Sequence, residues 1–364
     1  MQKGSSHDGW PAKLRPASGY CAGLTGRCHP VRWGILGTGY IAREFRDGAN
    51  GSKTGLVMAV ASRDPRRPEL AKTFPDARIV DGYEALIADP EIDAIYIALP
   101  NVFHREWTIA AAQAGKHVLC EKPMALTAED AEAMIVAAQE ARTFLGEAFM
   151  YRFHPLVGRL LDVLRSNFIG DVRMIKASFG FAWPKFDPSH RLLDPNLGGG
   201  ALLDLGGYVT TMAALIAGTR SGHGMPEPNA IRAVAHIGET GVDDRTSALL
   251  QFADGIIAEV SCSISVAQDN VLHILGTEGR LEVDHFWFGT GKAGGASAMR
   301  LFRPNATMES INVEEHGNLY SFQFEAANRA IREGRRDFSY PGLSQRDTLA
   351  NARVIDRWRA EFDR

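Results

Sequence analysis

The sequence predicts an α/β chain: an N-terminal doubly wound parallel sheet followed by a C-terminal α+β domain on a large open, mainly antiparallel sheet. Three observations predict it. Short apolar runs alternate with helical stretches as far as about Met150, longer β-rich runs follow, and a Gly-x-Gly-x-x-Ala string closes the first apolar run. A length of 364 residues suits two domains of ordinary size.

The apolar runs 31–36, 56–61, 94–99, 117–120 and 143–148 are mostly bounded by Gly, Pro, Asp or Asn. They lack clean alternation, as strands covered on both faces do. Helices are expected between them at 40–45, at 105–114 stopped by Gly115, and at 127–141, where Thr127 and Asp130 have the spacing of a capping box. One more helix, 156–165, precedes a turn at Phe168-Ile169-Gly170-Asp171. Strands are then expected at 172–181, 231–237, 246–252, 256–264, 271–275 and 280–283. Asp254-Gly255 is the dipeptide of a tight hairpin, whose turn needs positive φ. The Gly- and Ala-rich segment 290–298 reads as a surface loop, and residues 1–30 read as a disordered extension without the apolar core of a secretory signal. The expected division is therefore 1–30, 31–150 as a dinucleotide-binding domain, and 151–364 as a domain for substrate and oligomerisation.

Lys and Arg total 40 against 43 Asp and Glu, a net charge of −3, and no basic stripe recurs, which argues against a nucleic-acid partner. No run reaches the roughly 18 apolar residues that span a bilayer, and the most apolar stretch, near 213–217, is short. Of the four cysteines, Cys120 and Cys262 lie in strand-like apolar runs, which suits buried thiols in a reducing, cytoplasmic compartment. Cys21, Cys28 and His29 are not followed by a second ligand pair at zinc spacing, so no metal is expected.

In the string from Gly34 to Ala42, Gly37 permits a tight turn, Gly39 admits a close ligand, and Ala42 lets the following helix pack on the strand. Thr38, Tyr40 and Ile41 complete the turn, and the helix N-terminus favours phosphate. A site for NAD places an acid at the end of the second strand. Here Ser62 occupies that place and Arg63 follows, with Arg66 and Arg67 close by, a donor set suited to the 2′-phosphate of NADP. The alternative is that Asp64, two positions on, serves NAD.

His117-Val118-Leu119-Cys120-Glu121-Lys122-Pro123 delivers Glu121 and Lys122 to the carboxyl edge of the sheet, where such folds bind ligands. A salt-bridged surface lysine is an equal reading from these residues alone. In the Gly-rich string 197–208, Asp204 and Tyr208 stand at i and i+4 and share a helix face. Beside a lysine they would handle protons. Otherwise Asp204 is a dipole-favoured first-turn acid and Tyr208 is core.

These strings, with Gly146-Glu147-Ala148-Phe149-Met150-Tyr151-Arg152-Phe153-His154-Pro155, resemble the Gfo/Idh/MocA family, the glucose-fructose oxidoreductase and inositol dehydrogenase group. The resemblance runs from about Val31 to the end of the chain. It implies a Rossmann domain and a second domain whose open sheet often forms the subunit interface. It implies that Lys122 touches the reacting hydroxyl, with Asp204 and Tyr208 beside it. Tyr208, where inositol-type members carry His, places the chain near the NADP-dependent dihydrodiol dehydrogenase, D-xylose dehydrogenase and glucose-fructose oxidoreductase branch. Cofactor contacts are implied for Pro100, Asn101, His104, Glu121 and Arg152, although His104 also reads as a structural helix-start residue and Arg152 as a domain-interface ion pair.

The expected activity is hydride transfer between NADP and a sugar or cyclic diol. Tyr208 would remove the hydroxyl proton, its pKa lowered from about 10 by Lys122, while Asp204 orients the pair. The loop 183–196, with Trp183, Phe186, His190 and Arg191, would shape the substrate pocket. The rival reading is a non-catalytic sensor that binds a nicotinamide cofactor. Apolar residues at alternate positions of 256–264 and 271–275 predict a homodimer or homotetramer joined through the second sheet.

Overall fold

The computed structural model describes residues 29–364 apart from 220–223, 289–290, 292–293 and 363–364. Cys21, Cys28 and all but the end of the expected extension lie outside the described residues.

The first sheet contains β1 (Val31–Leu36), β2 (Gly55–Ser62), β3 (Arg78–Asp81), β4 (Ala94–Ile97), β5 (His117–Glu121) and β6 (Leu145–Ala148) in the order β3-β2-β1-β4-β5-β6. Every pairing is parallel. The connections carry α1 (Tyr40–Ala49), α2 (Glu69–Thr73), α3 (Tyr83–Ile87), α4 (His104–Gln113) and α5 (Ala128–Glu140). β4 is buried at every residue, as a strand covered on both faces must be. The sequence did not announce β3, which has no fully buried residue and therefore no apolar run. Thr127 does cap α5, its Oγ1 accepting from the Asp130 N–H at 3.1 Å. The Asp130 carboxylate pairs instead with Arg105 at 3.1 Å, leaving half of the expected capping box.

After α6 (Pro155–Arg165), the second sheet is formed by β7 (Val172–Gly180), β8 (Ala230–Ile237), β9 (Asp243–Gln251), β10 (Ile257–Ser263), β11 (Leu272–Gly276), β12 (Arg280–Val283), β13 (Gly295–Phe302) and β14 (Glu309–Glu315). Its order is β14-β13-β12-β11-β7-β10-β9-β8. All pairings are antiparallel except β7 with β10. Asp254 and Gly255, at φ 62° and 77°, make the tight turn between β9 and β10. The expected loop 290–298 is a correction: Gly295 to Ala298 open β13 and pair with Asn312 to Glu315 of β14. Gly, Ala and Ser at those positions show no apolar alternation, which is why the strand did not stand out.

α7 (Gly207–Ala217) lies beneath this sheet with almost every residue buried. The helical stretch Pro195–Ala217 is apolar and long enough to cross a membrane by composition, contrary to the expectation of a short run. Most of it is buried inside the protein, so its hydropathy is that of a core helix. The alternating apolar residues of β10 and β11 also point inward: Ala258, Val260, Cys262, Leu272 and Ile274 belong to the core. They are not the exposed set that predicted an oligomer. Val234, Leu249 and Ile257 are exposed instead, next to a Lys176–Glu259 ion pair of 2.9 Å.

The last two helices, α8 (Leu319–Arg332) and α9 (Gln345–Arg359), return to the first sheet. Trp33 Nε1 on β1 donates to Asn328 Oδ1 of α8 at 2.7 Å, and Phe324 joins Trp33 and Phe45 in one core. α9 lies against α5, and its Trp358 Nε1 donates to Thr246 Oγ1 of β9 at 2.9 Å, tying the two sheets together. The chain from 151 onward thus also packs α8 and α9 against the first sheet.

Candidate active site

A cavity of about 640 Å3 opens at the carboxyl ends of β1 and β4, where the strand order reverses, the place where open α/β sheets bind ligands. Gly37 to Ile41 form one wall. Gly37 has φ 100°, and a Cβ there would lie 2.5 Å from the Ala98 carbonyl oxygen, so the turn requires glycine. A Cβ at Gly39 would meet nothing within 4 Å. Its missing side chain therefore serves what docks in the turn rather than the packing of the protein. α1 begins at Tyr40, and its first-turn N–H groups have no partner within the helix.

Ser62, Arg63, Asp64 and Arg67 line the same end, whereas Arg66 does not. Ser62 Oγ accepts from the Asp64 N–H at 3.1 Å and donates to the Asp64 carbonyl at 3.0 Å, fixing the turn after β2. Arg63 lies beside Tyr83, whose hydroxyl burial raises in pKa and Arg63 lowers in part. Arg67 donates to Thr38 Oγ1, while its buried Nε has no hydrogen-bond partner. Two guanidinium groups, one of them also 3.7 Å from the Glu69 carboxylate, and a serine in place of an acid fit a phosphate at this end.

At the other end β5 delivers Glu121 and Lys122. Lys122 Nζ donates to the Asp204 carbonyl at 2.7 Å and to Asp204 Oδ1 at 3.1 Å, and Arg191 reaches the same Oδ1 at 3.1 Å. The Lys122 side chain is only 14% exposed, so it is not a surface lysine. Burial alone would raise the Asp204 carboxyl, but Lys122 and Arg191 outweigh it and hold it at about 2. Glu121 is buried too, accepting from the Tyr96 hydroxyl, and burial raises its pKa.

Asp204 and Tyr208 both line the cavity, but the backbone between them is a π-helical turn, Leu202–Gly206, that runs into α7. Such turns concentrate at functional sites. Asp243 of β9 holds the start of this turn, its Oδ2 accepting from the Leu202 N–H at 2.7 Å. Burial pushes the Asp243 carboxyl up to about 7.

Tyr208 departs from expectation. Lys122 Nζ sits over its ring, 5.1 Å from the centroid, and the hydroxyl donates to Met150 Sδ at 3.4 Å. Burial, with Tyr320, Glu121 and Asp204 adding to it, drives the hydroxyl well above its ordinary value, the opposite of the expected lowering. Tyr208 is therefore a neutral phenol at physiological pH, a hydrogen-bond donor rather than a ready base.

Pro100, Asn101, Trp183 and Arg191 line the cavity. Asn101 Nδ2 donates to the Gly198 carbonyl at 2.9 Å. His190 does not face the cavity but stacks on Trp183, with ring centroids 4.2 Å apart. His104 and Arg152 are corrections. His104 is fully buried, its ring nitrogens 2.8 Å and 2.9 Å from the Pro123 and Leu99 carbonyls, and it does not reach the cavity. Arg152 is buried against the Pro341 and Thr211 carbonyls at 2.6 Å and 3.0 Å, does not line the cavity, and makes no ion pair among the described residues. Sequence reasoning missed Phe179, Phe181, Phe288 and Tyr320, which give the cavity an aromatic wall. Phe179 and Phe181 lie at the end of an expected strand; Tyr320 enters from α8, which no motif marked.

Comparison with known proteins decides the family. The model described as "Oxidoreductase family, NAD-binding Rossmann fold" matches residues 31–149, and that of the "GFO/IDH/MocA C-terminal domain" matches 157–282. The chain is 34% identical to trans-1,2-dihydrobenzene-1,2-diol dehydrogenase of Mus musculus, over 88% of this chain and 94% of that protein. The chain belongs to the GFO/IDH/MocA oxidoreductase family. This family member is also 32% identical to D-xylose 1-dehydrogenase (NADP(+)) 2 of Haloferax volcanii, over 90% of this chain and 95% of that one. Among solved structures, it resembles KijD10, a 3-ketoreductase from Actinomadura kijaniata in complex with NADP and TDP-benzene. That match has a TM-score of 0.80 and 29% identity over 92% of this chain and 98% of the other. The aldose-aldose oxidoreductase of Caulobacter crescentus, complexed with glycerol, matches with a TM-score of 0.77 and 28% identity over 91% and 97% of the two chains.

Proposed function

We propose that this GFO/IDH/MocA oxidoreductase transfers a hydride between NADP and a hydroxyl-bearing ring carbon of a sugar or cyclic diol. The observation that carries the reading is Lys122, held by the Asp204 carbonyl and carboxylate in the cavity that begins at the Gly37 turn. The named substrates of the dihydrodiol and xylose dehydrogenases, and NADP in the KijD10 complex, support it.

Bound NADP would supply or take up the hydride. The protein's part is electrostatic. With two N–H groups committed to Asp204, Lys122 has one left for the reacting oxygen, and it stabilises negative charge developing there from a side chain that is only 14% exposed. Asp204, ionised throughout the physiological range, keeps that ammonium in place. Tyr208 donates from the wall, and Phe179, Phe181 and Phe288 offer flat apolar surface to the carbon face of a ring. Ser62, Arg63 and Arg67 favour NADP over NAD, while Asp64 in the same lining leaves NAD a second, weaker cofactor.

A panel of aldoses, inositols and cyclic diols, each with NADP and with NAD, tests this by absorbance of the reduced nicotinamide. Turnover of an aldose or cyclic diol with NADP is expected. Tight NADP binding with no turnover across the panel would favour the sensor instead.

The free, buried Cys120 and Cys262 support a reducing, cytoplasmic setting. The exposed Val234, Leu249 and Ile257 support a dimer or tetramer through the second sheet. Light scattering at micromolar concentration should give a multiple of 39.7 kDa, and a monomer mass would contradict it.

A further inference from the structure

At the mouth of the cavity a large aromatic ring is both exposed and firmly held. Trp183 lines the cavity and is 38% exposed. Its backbone N–H donates at 2.8 Å to the carbonyl of Ile264, just beyond β10, and Pro184 after it confines its backbone to extended conformations. His190 lies against one face of the indole, with centroids 4.2 Å apart and planes 26° from parallel. The Leu192 N–H donates to His190 Nδ1 at 3.3 Å, which fixes the imidazole in turn. Because Trp183 lines the cavity and His190 does not, the backed face of the indole points away from the cavity and the open face points into it.

Two routes through the structure place this ring well out from the reaction point. Along the wall, Lys122 Nζ sits over Tyr208, and Phe179 packs edge-on to Tyr208 with centroids 5.0 Å apart. Phe181 follows two residues on, about 6.6 Å further along an extended chain. Trp183 then meets Phe181 at 6.4 Å. Exposure rises along this wall, from 4% at Tyr208 and Phe179 to 38% at Trp183. Through the loop, Arg191 sets its guanidinium on Asp204 while the residue before it, His190, stacks on Trp183, so the arginine side chain spans the interval. A ring seated against Lys122 and Tyr208 therefore leaves the Trp183 face uncovered.

Donors are idle beside that face. Arg191 commits Nη1 to Asp204, and neither its Nε and Nη2 nor Trp183 Nε1 has a partner among the described residues. A flat apolar face with N–H groups at its edge suits a sugar, whose carbon face packs on the ring while its hydroxyls take the donors. The anchors of Trp183, Ile264 and His190, belong to the second sheet and its loop, whereas the Gly37 turn and Arg63 that suit the cofactor belong to the first.

We propose that the mouth of the cavity is a second sugar subsite: the substrate is a disaccharide whose reacting ring lies against Lys122 and whose neighbouring ring packs its carbon face on Trp183, with Arg191 donating to its hydroxyls. The inference rests on the function proposed above and narrows its substrate class to linked sugars.

The test sets cellobiose against D-glucose and xylobiose against D-xylose, each pair offering one reducing-end ring with and without a neighbour. With NADP, wild-type kcat/KM should favour at least one disaccharide about tenfold over its monosaccharide, through KM rather than kcat. Trp183→Ala should bring that ratio down to about one, and Trp183→Phe, which keeps a flat ring, should retain most of it. Calorimetry on enzyme saturated with NADPH, which cannot oxidise the sugar, reads the subsite without turnover. There cellobiose should bind about tenfold more tightly than D-glucose, and phenyl glucoside no more tightly than D-glucose. No disaccharide advantage in the wild type, or a Trp183→Ala loss shared equally by both members of a pair, would overturn the subsite and leave the proposed function standing. A phenyl glucoside that matches cellobiose would show a platform for any apolar ring, and an NADP Kd raised tenfold in Trp183→Ala would give the ring to the cofactor; either overturns the proposal. Trp183-dependent binding of cellobiose by an enzyme that oxidises no sugar or diol would keep the subsite and sink the function.

Discussion

The two ends of the cavity are built on opposite terms. At the glycine end the charged groups are arginines near solvent, and the backbone presents N–H groups around a space that no side chain fills. At the lysine end Lys122 and Asp204 are buried and already compensated, and the half-exposed Arg191 reaches the same Asp204 oxygen from the rim. The first arrangement is suited to recognising an anion that arrives from solution. The second holds an ammonium at a fixed point where charge develops during reaction, and it costs no reorganisation at that moment. Changes at the glycine end should therefore show up as affinity, and changes at the lysine end as turnover and as pH-dependent stability.

The sharpest way to break this contrast is Lys122→Met. Turnover should fall at least about a hundredfold, the scale of losing one donor to a developing oxyanion, with the Kd for NADP changed by less than about threefold. Weakened NADP binding of the same size as the kinetic loss would show the ends to be one unit. Tyr208→Phe comes next. As a neutral donor, Tyr208 should contribute about tenfold to a hundredfold in kcat without adding a pH inflection near neutrality, since its own hydroxyl titrates far higher. A near-neutral inflection of kcat that disappears with the hydroxyl would restore Tyr208 as the base. At the opposite end, Arg63→Ala should raise KM for NADP about tenfold and that for NAD hardly at all, because only NADP has a 2′-phosphate to lose. Equal effects on the two cofactors would remove Arg63 from the phosphate site.

The smallest effect is on stability. Glu147 and Asp243 stay protonated in the fold up to about pH 7, well above the unfolded value near 4. The folded state then binds more protons than the unfolded one, so this contribution is complete below pH 4 and fades as pH rises through 7. Asp204 has the opposite sign and is lost only as pH falls towards 2. Thermal unfolding should therefore drop by a few degrees from pH 6 to pH 8, and Glu147→Gln should reduce the drop but not abolish it. A midpoint that rises over this range would contradict the assignment of buried, protonated acids.

How much of this the sequence carried depended on whether the information was local. The β1 turn, the strand that ends in Glu121-Lys122 and the Asp254-Gly255 hairpin are written in adjacent residues, and each forms where those residues predict it. β13 opens on small and polar residues whose strand character comes from pairing with β14. Tyr320 reaches the cavity because α8 folds back from the end of the chain, a tertiary fact with no local signature. His104 and Arg152 sit beside the right motifs but spend their hydrogen bonds on buried carbonyls. Tyr208 was visible as a residue of the site, but its pKa was not, because burial governs it and burial cannot be read from an i, i+4 spacing.

The central claim is direct hydride transfer at the carbon held beside Lys122. It is tested most directly by supplying wild-type enzyme with NADP and an active aldose or cyclic diol deuterated at the carbon that bears the reacting hydroxyl. Mass spectrometry of the recovered cofactor should then find the label on the nicotinamide ring in every NADPH formed. NADPH formed without the label, or label released to water, would contradict the account.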